Sequence, residues 1–299
     1  MEKDWRMVST ALVIIALTLI GGTASVSGDG VGPGRDMVPR IAILIAVPIE
    51  AEWIYPFFTL ERHFVADGFN FSTGTIAGRK VVLEVGSEGE AAAAAAVVVT
   101  NRYFNVQWAV SIGTAGSHFA PIDVGDVVVV NRIFDDSSMR ITSYSPMAWT
   151  WLGSTVMLPN GTTRNFMYLN TTGYLINLAD QAAGLIPPFP ITPAQYVGTG
   201  QPHTAVVVRN GTDASSDLWI ANAAVIAQVH ATTGSSDEEM EAFGFGVTCY
   251  RLGIPFIKIA VISDSDVTGS QFTYDTVRIS MTNGLALLLE MIMLSSVGH

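Results

Sequence analysis

Ile41-Ala-Ile-Leu-Ile-Ala-Val47 is an unbroken apolar run that passes directly into Pro48-Ile-Glu50. A run without a polar face fits a strand covered on both sides, and the acid beyond its carboxyl end stands where open α/β sheets hold their ligands. Phe256 to Ile262 is a second β-like run, and it ends in Ser263-Asp264. Further runs at 72–77, 80–86, 107–113, 126–132 and 204–209 predict a sheet buried on both faces. Helices are expected between them, near 89–104, 171–184, 215–231, 239–252 and 275–294. Ala91 to Ala96 is a strong helix former, and Gly253-Ile-Pro255 reads as a helix stop followed by a strand start. The stretch 136–170, with Trp149, Trp151 and Asn160-Gly161, has no clear period and reads as an excursion or lid. Pro187-Pro188-Phe-Pro190 with Pro193 marks a second irregular connection.

The chain has 299 residues, 49% hydrophobic and 14% charged, enough for one large core. Its 15 basic residues against 26 acidic ones give a net charge of −11, with no cluster of Lys or Arg. Binding to nucleic acid, which depends on neutralising phosphates, is therefore not expected. Residues 1–27, with a charged start, the apolar run Val8 to Ile20 and small residues from Gly21 to Ser25, have the layout of a secretory signal peptide; an uncleaved anchor is the alternative. Gly- and Pro-rich residues 28–39 read as a linker, leaving 40–299 as the domain of an exported protein, periplasmic or extracellular. The single cysteine, Cys249, rules out an internal disulfide and reads as a small buried residue on a helix. The five histidines lack the spacing of a metal site, so no metal is expected. No Gly-rich phosphate loop, dinucleotide fingerprint or Gly-x-Ser-x-Gly elbow occurs.

Ser236-Asp-Glu-Glu-Met-Glu-Ala242 carries the densest acids in the chain and reads as a helix start. With Glu50 and Asp264 at strand ends, several carboxylates converge on one crevice, a pattern suited to acid–base chemistry on an uncharged or cationic substrate. Gly113-Thr-Ala-Gly116 stands at an expected strand end, where glycines let backbone N–H groups approach a ligand.

Five landmarks occur in a fixed order: Val47-Pro-Ile-Glu-Ala-Glu52, Ser111-Ile-Gly-Thr-Ala-Gly116, Val124-Gly-Asp-Val-Val128, Glu238-Glu-Met-Glu-Ala242 and Ile262-Ser-Asp264. Together, from Arg40 to about Leu294, they resemble the nucleoside phosphorylase and nucleosidase superfamily. The resemblance is closest to 5′-methylthioadenosine/S-adenosylhomocysteine nucleosidases and their secreted, plant storage-protein-like relatives. It implies a single-domain three-layer α/β/α sandwich with a central mixed sheet. It also implies a purine nucleoside or thionucleoside as substrate, no cofactor, and a homodimer. Glu50 matches the glutamate that activates water for attack on the anomeric carbon, and Asp264, oriented by Ser263, matches the acid that protonates the leaving purine. Met240 and Glu241 match the pair that holds the ribose, with Glu239 as a second acid of the motif, and Gly113, Thr114, Ala115 and Gly116 border the sugar. Two departures stand out: Ser117 in place of a further Gly, and Ala260 where an Arg is frequent. Asp213 falls near the segment that lines the base, whose aromatic partner is open among Phe243, Trp219, Trp149 and Trp151. Two alternatives are phosphorolysis, with Arg102, Arg132 or Arg140 as the cation, and a nucleoside-binding or storage protein without turnover.

Overall fold

The computed structural model describes residues 34–144, 147–158, 160–191 and 203–295. The leader expected over 1–27 lies outside them. Ten strands form the main sheet. They are β1 (Asp36–Ile45), β2 (Thr59–Ala66), β3 (Phe69–Ile76), β4 (Arg79–Val85), β5 (Phe104–Ser117), β6 (Val127–Asp135), β7 (Leu169–Asn170), β8 (Val207–Ser215), β9 (Asp237–Glu239) and β10 (Phe256–Asp264). The helices are α1 (Pro48–Ala51), α2 (Glu90–Tyr103), α3 (Gly173–Ala183), α4 (Ala223–Thr233), α5 (Ala242–Leu252) and α6 (Tyr274–Leu294).

Strand β1 shows why an apolar run becomes a central strand. Ile41, Ile43 and Ile45 pack with Leu175 and Ala179 of α3 and with Val277, Met281 and Leu288 of α6. Ala42 and Leu44, on the opposite face, pack with Ala93 and Val97 of α2 and with Phe245 and Cys249 of α5. Each aliphatic side chain buried in this way contributes roughly 1.5–3 kcal/mol, so a polar residue on either face would be costly. Helices α2 and α5 approach closely because Gly244 has no side chain: a methyl there would lie 2.2 Å from the Glu90 carbonyl oxygen. Gly253 ends α5 at φ +70°, and its N–H donates to the carbonyls of Cys249 and Tyr250.

The sheet is mixed, in the order β7-β6-β8-β9-β5-β1-β4-β3-β2, with β10 bonded to both β5 and β6. Strands β5, β10, β6, β8 and β9 therefore pair in a closed circuit, so this half curls on itself instead of remaining a flat sandwich layer. β1 is parallel to β4 and β5, and β10 is parallel to β5 with Asp264 opposite Gly116. The carboxyl ends of β1, β4 and β10 consequently open at one edge.

Several boundaries differ from the sequence reading. β1 starts at Asp36, inside the expected 28–39 linker, where Arg40 pairs with Asp36 at 2.8 Å. The exposed β2, at the sheet edge, has no apolar face to announce it. β8 runs through the polar Asn210 to Ser215, so the helix expected from 215 begins only at Ala223, after Asn222 caps it. The 136–170 excursion is two hairpins, Met139–Tyr144 with Met147–Trp151 and Ser154–Met157 with Thr163–Phe166. Phe189–Ile191 pairs with His203–Ala205, and Pro193 lies outside the described residues.

Candidate active site

Glu50 sits on the short helix α1, which starts as soon as β1 ends because Pro48 at its first turn needs no N–H partner. Its carboxylate turns inward and is buried. Oε1 accepts the backbone N–H and the hydroxyl of Thr114, both at 2.6 Å. Oε2 receives only the long Val47 N–H contact at 3.4 Å and stays available to a ligand or water. Burial pushes this carboxyl up from its ordinary value of 4.5, outweighing the two Thr114 hydrogen bonds and the Lys258 charge.

Asp264 ends β10 and is 8% exposed. Burial pushes it up to about 7, against the Ser263 hydroxyl, which donates to Oδ1 at 2.7 Å. Near neutral pH this group therefore holds a proton that it can give away. Glu241, at the start of α5, accepts the Gly89 N–H at 2.9 Å. Burial and the neighbouring Glu239 push its carboxyl up to about 8.

These groups line one open cleft, bounded by Ala46, Val47, Glu50, Glu88, Thr114, Ala115, Gly116, Leu218, Trp219, Glu238, Glu239, Met240, Glu241, Ser263, Asp264 and Phe272. Six are acids, and no Lys, Arg or His is among them. Leu218, Trp219 and Phe272 form an apolar wall, the two rings meeting edge to face at 5.7 Å.

Nine of the ten residues singled out from the sequence meet here. Gly113 does not line the cleft; it makes room behind it, since a methyl at 113 would lie 3.2 Å from Glu50 Oε1. Gly113 to Gly116 is continuous strand, not a turn at a strand end, because β9 and β10 flank it and extend the pairing to Ser117. Ser117 is buried, its hydroxyl donating to the Ile122 carbonyl at 2.5 Å, away from the cleft. The acids of 237–239 lie on β9 and precede the helix, which starts only at Ala242.

Glu239 has a structural duty. Its carboxylate pairs with Lys258 Nζ at 2.8 Å, both side chains 1% exposed, and accepts the backbone N–H of Glu241 and Ala242. Lys258 lies two residues before Ala260 on β10 and projects from the same face of the strand. A lone lysine in an apolar run was the sequence signal for it. Asp213 is fully buried, outside the cleft lining, beside Asp237 on the paired strand. Burial and the neighbouring acids push both well up. Neither carboxyl has a hydrogen-bond partner among the described residues.

Of the aromatic candidates Trp219 lines the cleft. Phe243 is in the core, and Trp151 packs edge-on against Phe134 at 4.7 Å. Arg102 pairs with Asp67, Arg132 bonds Thr212 and stacks on Tyr168, and neither these nor Arg140 reaches the cleft. Glu88 went unnoticed in the sequence although it follows β4 as Glu50 follows β1; Phe272 and Leu218 had no signal.

A family model described as the phosphorylase superfamily matches residues 40–293. The 5′-methylthioadenosine/S-adenosylhomocysteine nucleosidase of Halalkalibacterium halodurans is 23% identical over 207 residues, 69% of this chain and 76% of the relative. That of Shewanella denitrificans is 21% identical over 252 residues, 84% and 96% of the two chains. Among solved structures, futalosine hydrolase of Helicobacter pylori superposes with a TM-score of 0.65 at 18% identity, covering 85% of this chain and 97% of the other. The methylthioadenosine/S-adenosylhomocysteine nucleosidase of Neisseria meningitidis, in complex with methylthio-immucillin-A, gives 0.64 at 21% identity, covering 85% and 98%. At these identities the structural likenesses establish the mixed α/β fold. The match of a single family model over most of the described sheet and its helices leads to one assignment: the chain belongs to the phosphorylase superfamily.

Proposed function

We propose that the protein hydrolyses the N-glycosidic bond of a purine nucleoside or thionucleoside. The observation that carries this reading is the charge of the cleft: six acids and, among the described residues, no cationic side chain in its lining, with the buried Lys258 behind it already paired to Glu239. Phosphate as attacking group requires cations or an array of free N–H donors, and a wall of carboxylates repels it. Water has no such requirement.

In this mechanism Glu50 Oε2 takes a proton from water as its oxygen bonds to the anomeric carbon. The bond from that carbon to the purine breaks, and its electron pair goes to the ring, which Asp264 protonates so that the base leaves neutral. The positive charge that develops on the sugar is stabilised by the carboxyl groups of Glu50 and Glu241 beside it. Glu241 also accepts the ribose hydroxyls, while Met240 packs against the sugar. The relatives named for nucleosidase activity support the same chemistry.

The reading extends to an exported homodimer, with 1–27 as leader. Support comes from the layout of the first residues and from an exposed apolar groove between α2 and α5, where Val98, Met157 and Leu252 are unburied. The decisive experiment is product analysis with adenosine, inosine and 5′-methylthioadenosine, with and without phosphate. Free base and free sugar, formed independently of phosphate, are expected. Sugar 1-phosphate formed only when phosphate is added would overturn the hydrolytic reading.

A further inference from the structure

Glu238 is one of two cleft acids, with Glu88, that neither the reaction above nor the packing of α5 uses. It lies on β9 directly opposite Gly116 of β5. A methyl group at Gly116 would stand 3.4 Å from Asp264 Oδ2 and 3.8 Å from Glu238 Oε1, so both carboxyl groups face the same space over this glycine. Glu238 is anchored at both oxygens. Oε1 accepts the Ile220 N–H at 3.2 Å, which ties it to the loop carrying Leu218 and Trp219. Oε2 meets His118 Nε2 at 3.1 Å, and the far side of that imidazole meets the Ser235 hydroxyl at 2.6 Å. The His118 side chain is fully buried and that of Glu238 is 12% exposed. A buried histidine and serine behind a cleft carboxylate fix its orientation.

Each carboxylate oxygen has two lone pairs, and one on each is spent on these anchors. What remains toward the cleft accepts hydrogen bonds and donates none. We propose that Glu238, positioned by His118, selects the leaving base: it accepts a hydrogen bond from an amino substituent next to the ring nitrogen that Asp264 protonates. An aminopurine such as adenine is then favoured over an oxopurine such as hypoxanthine, whose carbonyl oxygen would face the carboxylate lone pairs. This inference rests on the glycosidic reading of the cleft. Discrimination of this kind is large because the wrong base leaves a desolvated acceptor unpaired.

Steady-state kinetics on adenosine and inosine test it in the parent, Glu238→Gln and His118→Phe. The parent should prefer adenosine in kcat/KM, and Glu238→Gln, which places an N–H among the acceptors, should cut that preference about tenfold to a hundredfold, the range of one charge-assisted hydrogen bond. His118→Phe should raise KM for adenosine with little change for inosine; equal effects on both substrates assign His118 to the fold alone. Calorimetric binding of free adenine and hypoxanthine to the parent needs neither turnover nor a stable variant. Adenine bound in preference, with neither nucleoside cleaved, would remove the hydrolytic reading and keep this one. Hypoxanthine bound as tightly as adenine, or an unchanged preference in an active Glu238→Gln, overturns it.

Discussion

Replacing Lys258 by Met tests how the acids at this end of the sheet are held together. The Lys258 and Glu239 side chains are each 1% exposed and 2.8 Å apart, and Asp213, Asp237 and Glu241 surround them. Removing one member of a buried pair leaves the other as an uncompensated charge, at a cost of about 3–5 kcal/mol. For a domain of this size each kcal/mol lowers Tm by about 2–4 °C, so the midpoint should fall by about 6–20 °C. The pH dependence has a definite sign. Burial raises Glu239, but the Lys258 charge and hydrogen bonds outweigh it, so its folded value lies below the ordinary 4.5. Its contribution is present above 4.5 and disappears as pH falls through the folded value. Lys258 is held above its ordinary 10.5, chiefly by Glu239 and Asp213 against burial, so its share is intact throughout that range. Thermal melts of parent and variant should therefore differ most at about pH 7 and converge toward about pH 3. Adding Glu239→Gln, which is neutral but keeps an acceptor for the Ala242 N–H, should recover most of the loss. A single variant that loses less than about 1 kcal/mol at neutral pH would refute the reasoning.

Other expectations follow from the same geometry. Asp264→Asn keeps the shape but cannot deliver a proton, so turnover should fall about 10²–10⁴-fold, and less for a base that leaves readily; equal losses on both kinds of base would mark Asp264 as a positioning group only. Since burial places Asp264 at about 7 and its protonated form is the active one, kcat/KM should decline as pH rises through about 7, and a profile flat to about pH 9 contradicts the assignment. Thr114→Val removes a donor that favours ionised Glu50, so the acid limb of that profile should move to higher pH; an unmoved limb detaches it from Glu50. Glu241→Ala removes two hydrogen bonds to the sugar, each worth roughly 0.5–1.5 kcal/mol for a neutral carboxyl, and calorimetry should show weakened nucleoside binding with free base unaffected. Light scattering at micromolar concentration should give a dimer, and a monodisperse monomer excludes it.

Much of the fold was legible because β1, β4, β5, β6 and β10 are buried on both faces, which leaves a continuous apolar run in the sequence. The edge strand β2 and the polar half of β8 left none. At β2 one side faces solvent, and in β8 Asp213 sits in a polar cluster where the neighbouring strands also carry acids. Glu50 and Asp264 were legible for a chemical reason, an acid placed just beyond the carboxyl end of an apolar strand.

By itself the sequence determined which segments are buried, that the strand ends are acidic, and that Glu50 and Asp264 are candidates for one site, since burial and strand-end chemistry are local properties; Met240 and Glu241 were added by the resemblance of their motif. Only the tertiary structure decided which partners each acid meets. Glu239 and Glu238 are adjacent, yet one turns to Lys258 and the α5 amides while the other turns to His118 and the space over Gly116. Their partners lie 19 and 120 positions away in the chain. A carboxylate takes its function from the charges and donors around it, and strand pairing across the closed circuit chose those neighbours.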